Sequence, residues 1–147
     1  MHLDFQNIQE IDIFKNLTPE EIDEVLPILH PARVFEGERL IREGDTAQKF
    51  FIIVSGNYMI HFKDGRAFTL HKKGDMIGWS SVAGPFTYHE SAVALTDGEV
   101  LAMPVEEFLH LMKGHSDLGN KITKKVTETV RQRIAFIKGT QNGNDKS

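Results

Sequence analysis

Hydrophobic positions near the start of the chain recur at the three- and four-residue spacing of an amphipathic helix. Thr18 is a natural N-cap, and Glu21, three residues later, completes a capping box. Pro31 interrupts the pattern because proline lacks the N–H that a helix interior needs. We therefore predict a first helix over Pro19–Leu29. Its apolar face consists of Ile22, Val25, Leu26 and Leu29.

Between Arg33 and Met103 the pattern changes to short apolar or alternating runs, which glycine-containing turns separate. Phe50–Val54 is continuously apolar and predicts a buried strand. Asp64-Gly65 predicts a tight hairpin between the strands on either side. The other predicted strands are Tyr58–Phe62, Ala67–His71, Ala92–Leu95 and Val100–Met103. We expect the last two to form a closing hairpin, in a sandwich, barrel or roll.

Helical spacing returns near the end of the chain. Val105–Met112 predicts a short helix, which Gly114 ends. Ser116 or Asp117 can cap a long last helix that ends near Gly139. This last helix carries an apolar stripe, made of Leu118, Ile122, Val126, Val130, Ile134 and Ile137.

The length and composition of the chain are those of one globular domain: 147 residues, 40% hydrophobic and 26% charged. We predict a mainly β fold, an antiparallel β-roll or jelly roll with N-terminal helices and a long C-terminal helix. The predicted domain covers 1–139, divided into a helical part (1–32), the β-roll (33–104) and the C-terminal helices (105–139). The polar tail, 140–147, is predicted to be disordered.

Several functions are excluded or not expected on composition. The chain has no cysteine, which excludes disulfides, thiolate catalysis and cysteine-based metal sites. The net charge of −4 gives no general reason to expect nucleic-acid binding. We see neither a signal peptide nor an apolar run long enough to span a membrane, so we expect a cytoplasmic protein.

The order of these parts resembles the cyclic-nucleotide-binding domain family, which includes the sensor domain of the catabolite activator protein and the regulatory subunit of protein kinase A. The resemblance covers roughly Phe14 to Lys138 and implies a stand-alone sensor domain. Its motifs are Phe14-Lys15-Asn16-Leu17, Phe35-Glu36-Gly37-Glu38, Ile41-Arg42-Glu43-Gly44-Asp45, Phe50 to Gly56, Gly74-Asp75-Met76-Ile77-Gly78, Val93 to Asp97 and Val100 to Met103.

The resemblance implies a phosphate-binding cassette that starts at Gly78, where backbone N–H groups would hold a cyclic phosphate. In the family an arginine neutralises this phosphate and a glutamate holds the ribose. Here Trp79 stands where the glutamate is expected, and Tyr88 stands where the arginine is expected; a one-residue slip would bring His89 there instead. The candidate ligand-binding residues are Gly78, Trp79, Ser80, Ser81, Val82, Tyr88, His89, Glu90, Ser91, Thr129 and Arg133.

The two replacements predict a degenerate site. Removing one partner of a buried charge pair costs roughly 2–5 kcal/mol, which is tens- to thousands-fold in affinity. We therefore expect weakened binding of cyclic AMP or cyclic GMP, and no other cofactor is indicated. The aromatic residues Trp79, Phe86 and Tyr88 are expected to cluster around the pocket. They would either plug it or adapt it to another ligand, and the sequence favours neither alternative.

The last helix has two interpretations. In the family the corresponding helix dimerises and reaches over the ligand, which favours a homodimer through the apolar stripe. The alternative is that the stripe folds back on the β-roll of its own chain. The helix is also basic, but no helix-turn-helix follows it before residue 147, so DNA binding is not expected.

Catalytic motifs are not found. The sequence has no Gly-x-Ser-x-Gly elbow and no phosphate loop, and its seven histidines show no metal-ligand spacing. The sequence therefore predicts a non-catalytic regulatory module with a small-molecule ligand and an unknown protein partner. A ligand-free interaction or dimerisation scaffold is the alternative, and a cupin-like metalloenzyme is a distant third.

Overall fold

The computed structural model describes residues 8–79 and 87–128. Within these ranges eight strands lie between an N-terminal and a C-terminal helical part. The strands are β1 (His30–Val34), β2 (Arg39–Ile41), β3 (Lys49–Ser55), β4 (Tyr58–His61), β5 (Ala67–Leu70), β6 (Met76–Ile77), β7 (Ser91–Ala94) and β8 (Gly98–Pro104). The helices are a 3-10 turn (Asp12–Phe14), α1 (Pro19–Val25), a second 3-10 turn (Leu26–Ile28), α2 (Val105–Gly114) and α3, the helical residues 116–128.

Helix α1 begins as predicted and ends earlier. The Thr18 N–H donates to Glu21 Oε1 at 2.8 Å, and the Glu21 N–H donates to Thr18 Oγ1 at 3.2 Å, so the capping box is confirmed. The predicted helix to Leu29 is wrong over its last turn, where the chain is a 3-10 helix. Pro27 explains this, because it has no N–H to donate to the carbonyl four residues earlier.

The strands form two four-stranded antiparallel sheets, with the orders β1-β8-β3-β6 and β2-β7-β4-β5. The predicted β4–β5 hairpin is confirmed, with Tyr58 opposite Leu70 and His61 opposite Ala67. The predicted closing hairpin is wrong, because β7 pairs with β2 and β4 while β8 pairs with β1 and β3. Side chains of the connecting turn bind other loops: Asp97 Oδ1 accepts the Glu36 N–H at 2.8 Å.

The alternation of β3 divides the hydrophobic core into two clusters. Phe51 and Ile53 belong to an inner cluster between the sheets, while Phe50 and Ile52 belong to a helix-side cluster. The inner cluster receives residues from both sheets, and among its members are Tyr58, Ile60, Ile77, Tyr88 and Val100. The helix-side cluster joins the first sheet to the helices, and among its members are Ile8, Phe14, Ile22, Leu101 and Phe108.

The described part of α3 packs on its own chain. Leu118, Ile122 and Val126 are 2%, 1% and 0% exposed and belong to the helix-side cluster. This packing supports the alternative that the stripe folds back on its own chain, and the dimer face through these three residues stays a prediction. The other predicted dimer residues, Val130, Ile134 and Ile137, lie outside the described residues. Across 8–79 and 87–128, no helix combines the length and apolar character needed to cross a membrane.

Candidate functional site

The candidate site is built around Gly78, which follows β6 directly. Its backbone has φ = +84°, a left-handed conformation that glycine adopts without strain. The Gly78 N–H donates to Glu90 Oε1 at 3.1 Å. Glu90 is only 8% exposed, so this bond joins the end of β6 to the start of β7 inside the protein.

Tyr88 lies in the inner cluster at the predicted arginine position. Its N–H donates to the Asp45 carbonyl at 3.1 Å, and its carbonyl accepts the Gly44 N–H at 2.8 Å. The hydroxyl donates to the Lys49 carbonyl at 2.5 Å. The ring lies against Gly78: a Cβ on that glycine would be 3.2 Å from Tyr88 Cε1. The tyrosine is thus fixed at both its backbone and its hydroxyl.

The electrostatic character of this position is neutral. Burial raises the pKa of the Tyr88 phenol, and the hydrogen bonds with the Lys49 and Gln48 backbone oppose that shift only in part. The side chain therefore stays protonated at neutral pH, and it supplies no positive charge for a phosphate.

Trp79 faces the other side of the first sheet. Its ring makes edge-to-face contacts with Phe50, at 5.2 Å between centroids, and with Phe108, at 5.6 Å. It packs against the helix-side cluster, whereas Tyr88 is in the inner cluster. The expectation that Trp79 and Tyr88 surround one pocket is therefore wrong. Strand alternation alone would place Trp79 on the same face as Ile77. The strand ends at Ile77, however, and the left-handed backbone of Gly78 interrupts the alternation, so Trp79 lies on the side of Met76.

The structure describes two of the remaining predicted site residues, Ser91 and His89, and the others lie outside the described ranges. Ser91 is buried, and its Oγ accepts the Glu43 N–H at 2.9 Å, while His89 is exposed. Ser80, Ser81, Val82, Phe86, Thr129 and Arg133 lie outside the described residues.

The sequence interpretation missed the role of Glu90 in fixing Gly78. It also missed Lys49, whose backbone binds the Tyr88 hydroxyl. The alternation of Ala92 and Ala94 toward the inner cluster, extended back by two residues, could have indicated the burial of Glu90. As for metals, residues 8–79 and 87–128 contain no group of three or more His, Asp or Glu side chains that could hold an ion.

The two-sheet roll, with helices packed on one sheet and a left-handed glycine directly after β6, defines a β-roll domain with flanking helices as the class of this protein. The family model described as the cyclic nucleotide-binding domain matches residues 31–115, more than half of the chain. The chain therefore belongs to the cyclic nucleotide-binding domain family.

Individual relatives agree with this assignment. The chain is 28% identical over 113 residues to a cAMP-dependent protein kinase regulatory subunit from Colletotrichum orbiculare, covering 76% of this chain and 28% of the relative. It is 29% identical over 105 residues to the cyclic AMP receptor protein of Thermus thermophilus, covering 69% and 49%. The chain thus spans less than half of either relative.

A solved structure shows the same fold. The crystal structure of a putative cyclic nucleotide-binding protein from Geobacter metallireducens superimposes with a TM-score of 0.81. The match covers 90% of this chain and 99% of that one, at 18% sequence identity.

Proposed function

We propose that this chain is a non-catalytic regulatory module, which senses a small ligand in its β-roll through a degenerate cyclic nucleotide site. Family membership supports the regulatory role. The observation that carries the degenerate site is Tyr88, a buried neutral phenol at the position expected for the arginine, with its hydroxyl bound to the Lys49 carbonyl.

The chemistry of a cyclic nucleotide explains why this matters. Its phosphate is anionic, and transfer into a partly buried site is favourable only with a compensating charge or hydrogen bonds. The Tyr88 hydroxyl already donates its hydrogen bond to the Lys49 carbonyl, so it is not free to donate to a phosphate. The Tyr88 ring also fills the space beside Gly78. We expect a loss of tens- to thousands-fold in affinity relative to a site with the arginine.

Isothermal calorimetry of the purified chain with cyclic AMP and cyclic GMP tests the degenerate site. We expect no micromolar binding by the wild type, and at least tenfold tighter binding by Tyr88→Arg, which restores the charge. Asn120→Arg places the same charge on the exposed surface of α3 and should bind as the wild type does. Circular dichroism checks that each variant is folded. Micromolar binding by the wild type would overturn the proposal of a degenerate site.

A ligand-free interaction scaffold is the second candidate, and the burial of Tyr88 at 7% exposure favours it. The two functions differ in their response to small molecules. A sensor is stabilised by mass action when its ligand binds the folded state, so its melting temperature rises with ligand concentration. A scaffold shows no such rise with any small molecule.

A further inference from the structure

Glu90 places a carboxyl group beside the start of the candidate site. The residue lies directly before β7 and is only 8% exposed. Its Oε1 accepts the Gly78 N–H at 3.1 Å, and Gly78 is itself buried. The ring of Tyr88, a member of the inner cluster, lies against the same glycine. The carboxyl group and the aromatic ring therefore meet at one buried residue.

The hydrogen bond from Gly78 to Glu90 uses a donor that an anionic ligand would need. This N–H starts the loop that the family resemblance assigns to a cyclic phosphate. A backbone N–H has one hydrogen to donate, and here that hydrogen is directed at a carboxyl oxygen of the same chain. An anion that bound at Gly78 would first have to displace Glu90.

The charge of Glu90 acts in the same direction. Like charges placed side by side weaken binding, and their repulsion increases with burial. Among the described residues, the buried charged or polar side chains are Glu90 and Ser91, so this part of the chain buries no lysine, arginine or histidine. Tyr88, at the position expected for an arginine, donates its hydroxyl to a backbone carbonyl. The surroundings of Gly78 thus favour a ligand without negative charge.

We propose that Glu90 is a specificity-determining residue that excludes anions from the roll, so that the ligand of the sensor is an uncharged or cationic small molecule. The inference rests on the proposed sensor function and names its ligand class. It assigns Glu90 and Tyr88 different effects. Tyr88 withholds a positive charge, whereas Glu90 adds a negative one and occupies the Gly78 donor. An arginine restored at position 88 should therefore recover only part of the affinity for a cyclic nucleotide.

Cyclic AMP and adenosine test the inference, because only the first carries a negative charge. Each is titrated to millimolar concentration into the full chain, and the amide NMR signals of Ile53 and Ala92, both in the inner cluster, report binding. We expect the wild type to bind adenosine about tenfold more tightly than cyclic AMP. Glu90→Gln removes the charge but keeps an acceptor for Gly78, so it should reduce this preference. Glu106→Gln removes an exposed charge from α2 and should leave the preference unchanged.

The same titrations in a Tyr88→Arg chain separate the inference from the proposed function. Adding Glu90→Ala, which removes the charge and frees the donor, should tighten cyclic AMP binding about a further tenfold and leave adenosine binding unchanged. Circular dichroism checks folding, and Glu90→Gln replaces the alanine variant in this test if the latter is unfolded.

The possible failures are distinct. If Tyr88→Arg tightens cyclic AMP binding and neither Glu90 substitution tightens it further, the inference is wrong and the proposed function stands. A wild-type chain that prefers cyclic AMP to adenosine also overturns the inference. If no variant binds either probe, the result counts against the proposed sensor function, and the inference falls with it.

Discussion

Gly78 is the residue on which the geometry of the site depends. It has a left-handed backbone, donates its N–H to buried Glu90 and lies against the Tyr88 ring. A side chain here would disturb the backbone and the ring together. The family motif predicts a glycine at this position, and the structure gives the physical reason for it.

Replacing Gly78 with alanine should therefore destabilise the fold in two ways. The left-handed backbone costs a non-glycine residue about 1–2 kcal/mol. The new methyl group, 3.2 Å from Tyr88 Cε1, adds roughly 1–3 kcal/mol of overpacking. Urea unfolding of Gly78→Ala measures the sum.

Gly65→Ala is the matched control, because Gly65 has φ = +94° and an added Cβ there would meet no atom within 4 Å. It should show only the backbone cost. Equal losses in the two variants would mean that Tyr88 moves aside freely, and that the ring is not fixed against Gly78.

At the scale of elements, the corner between β3 and β4 shows how two sheets are joined tightly. Tyr58 is fully buried, and its hydroxyl donates to the Ser55 carbonyl at 2.8 Å. Gly98 at the start of β8 passes so close that an added Cβ would lie 2.7 Å from that hydroxyl oxygen. Burial raises the pKa of Tyr58 to about 12, with the Glu38 and Glu99 carboxylates acting in the same direction.

This corner predicts a loss of stability at alkaline pH. An unfolded chain ionises this tyrosine near its ordinary pKa of 10.0, whereas the folded chain holds the proton to about pH 12. Unfolding therefore releases a proton in this window, so the free energy of unfolding falls as pH rises from about 10 through 12. Tyr58→Phe should show a shallower fall in urea titrations over the same pH range. Parallel pH profiles for the two proteins would show that Tyr58 ionises equally easily in both states.

The sequence predicted the elements that local contacts determine. It did not predict pairings and side-chain directions that depend on contacts between residues far apart in the chain. The β4–β5 hairpin followed from Asp64-Gly65, because the turn itself sets the pairing. The strands β7 and β8 are also close in sequence, but β7 pairs with strands of one sheet and β8 pairs with strands of the other. Trp79 shows the same limit for the site: the family motif located this residue, but the side of the sheet that its ring packs on depends on the left-handed backbone of Gly78 and on contacts with Phe50 and Phe108.

At the scale of the whole molecule, one helix-side cluster joins the first sheet to helices from both ends of the described chain. Phe108 of α2 makes edge-to-face contacts with Phe50 of β3, at 5.4 Å, and with Trp79, at 5.6 Å. Lys121 of α3 pairs with Glu21 of α1 at 2.7 Å. Trp79, the first sheet and the helices thus form one packed unit.

This arrangement separates the two interpretations of the last helix. Ile122 is 1% exposed within a single chain, so Ile122→Ala removes core packing and should lower the free energy of unfolding by about 2–4 kcal/mol. Because the contact is within the chain, the loss should be the same at low and high protein concentration. Thermal unfolding at two protein concentrations a hundredfold apart measures the stability of the variant and its concentration dependence. Sedimentation velocity on the same samples measures self-association. A variant with unchanged stability at the low concentration and weakened self-association would instead assign Ile122 to a dimer interface. The packing of Leu118, Ile122 and Val126 against the helix-side cluster predicts the first result, since a side chain that is already covered has no surface left to bury in a partner.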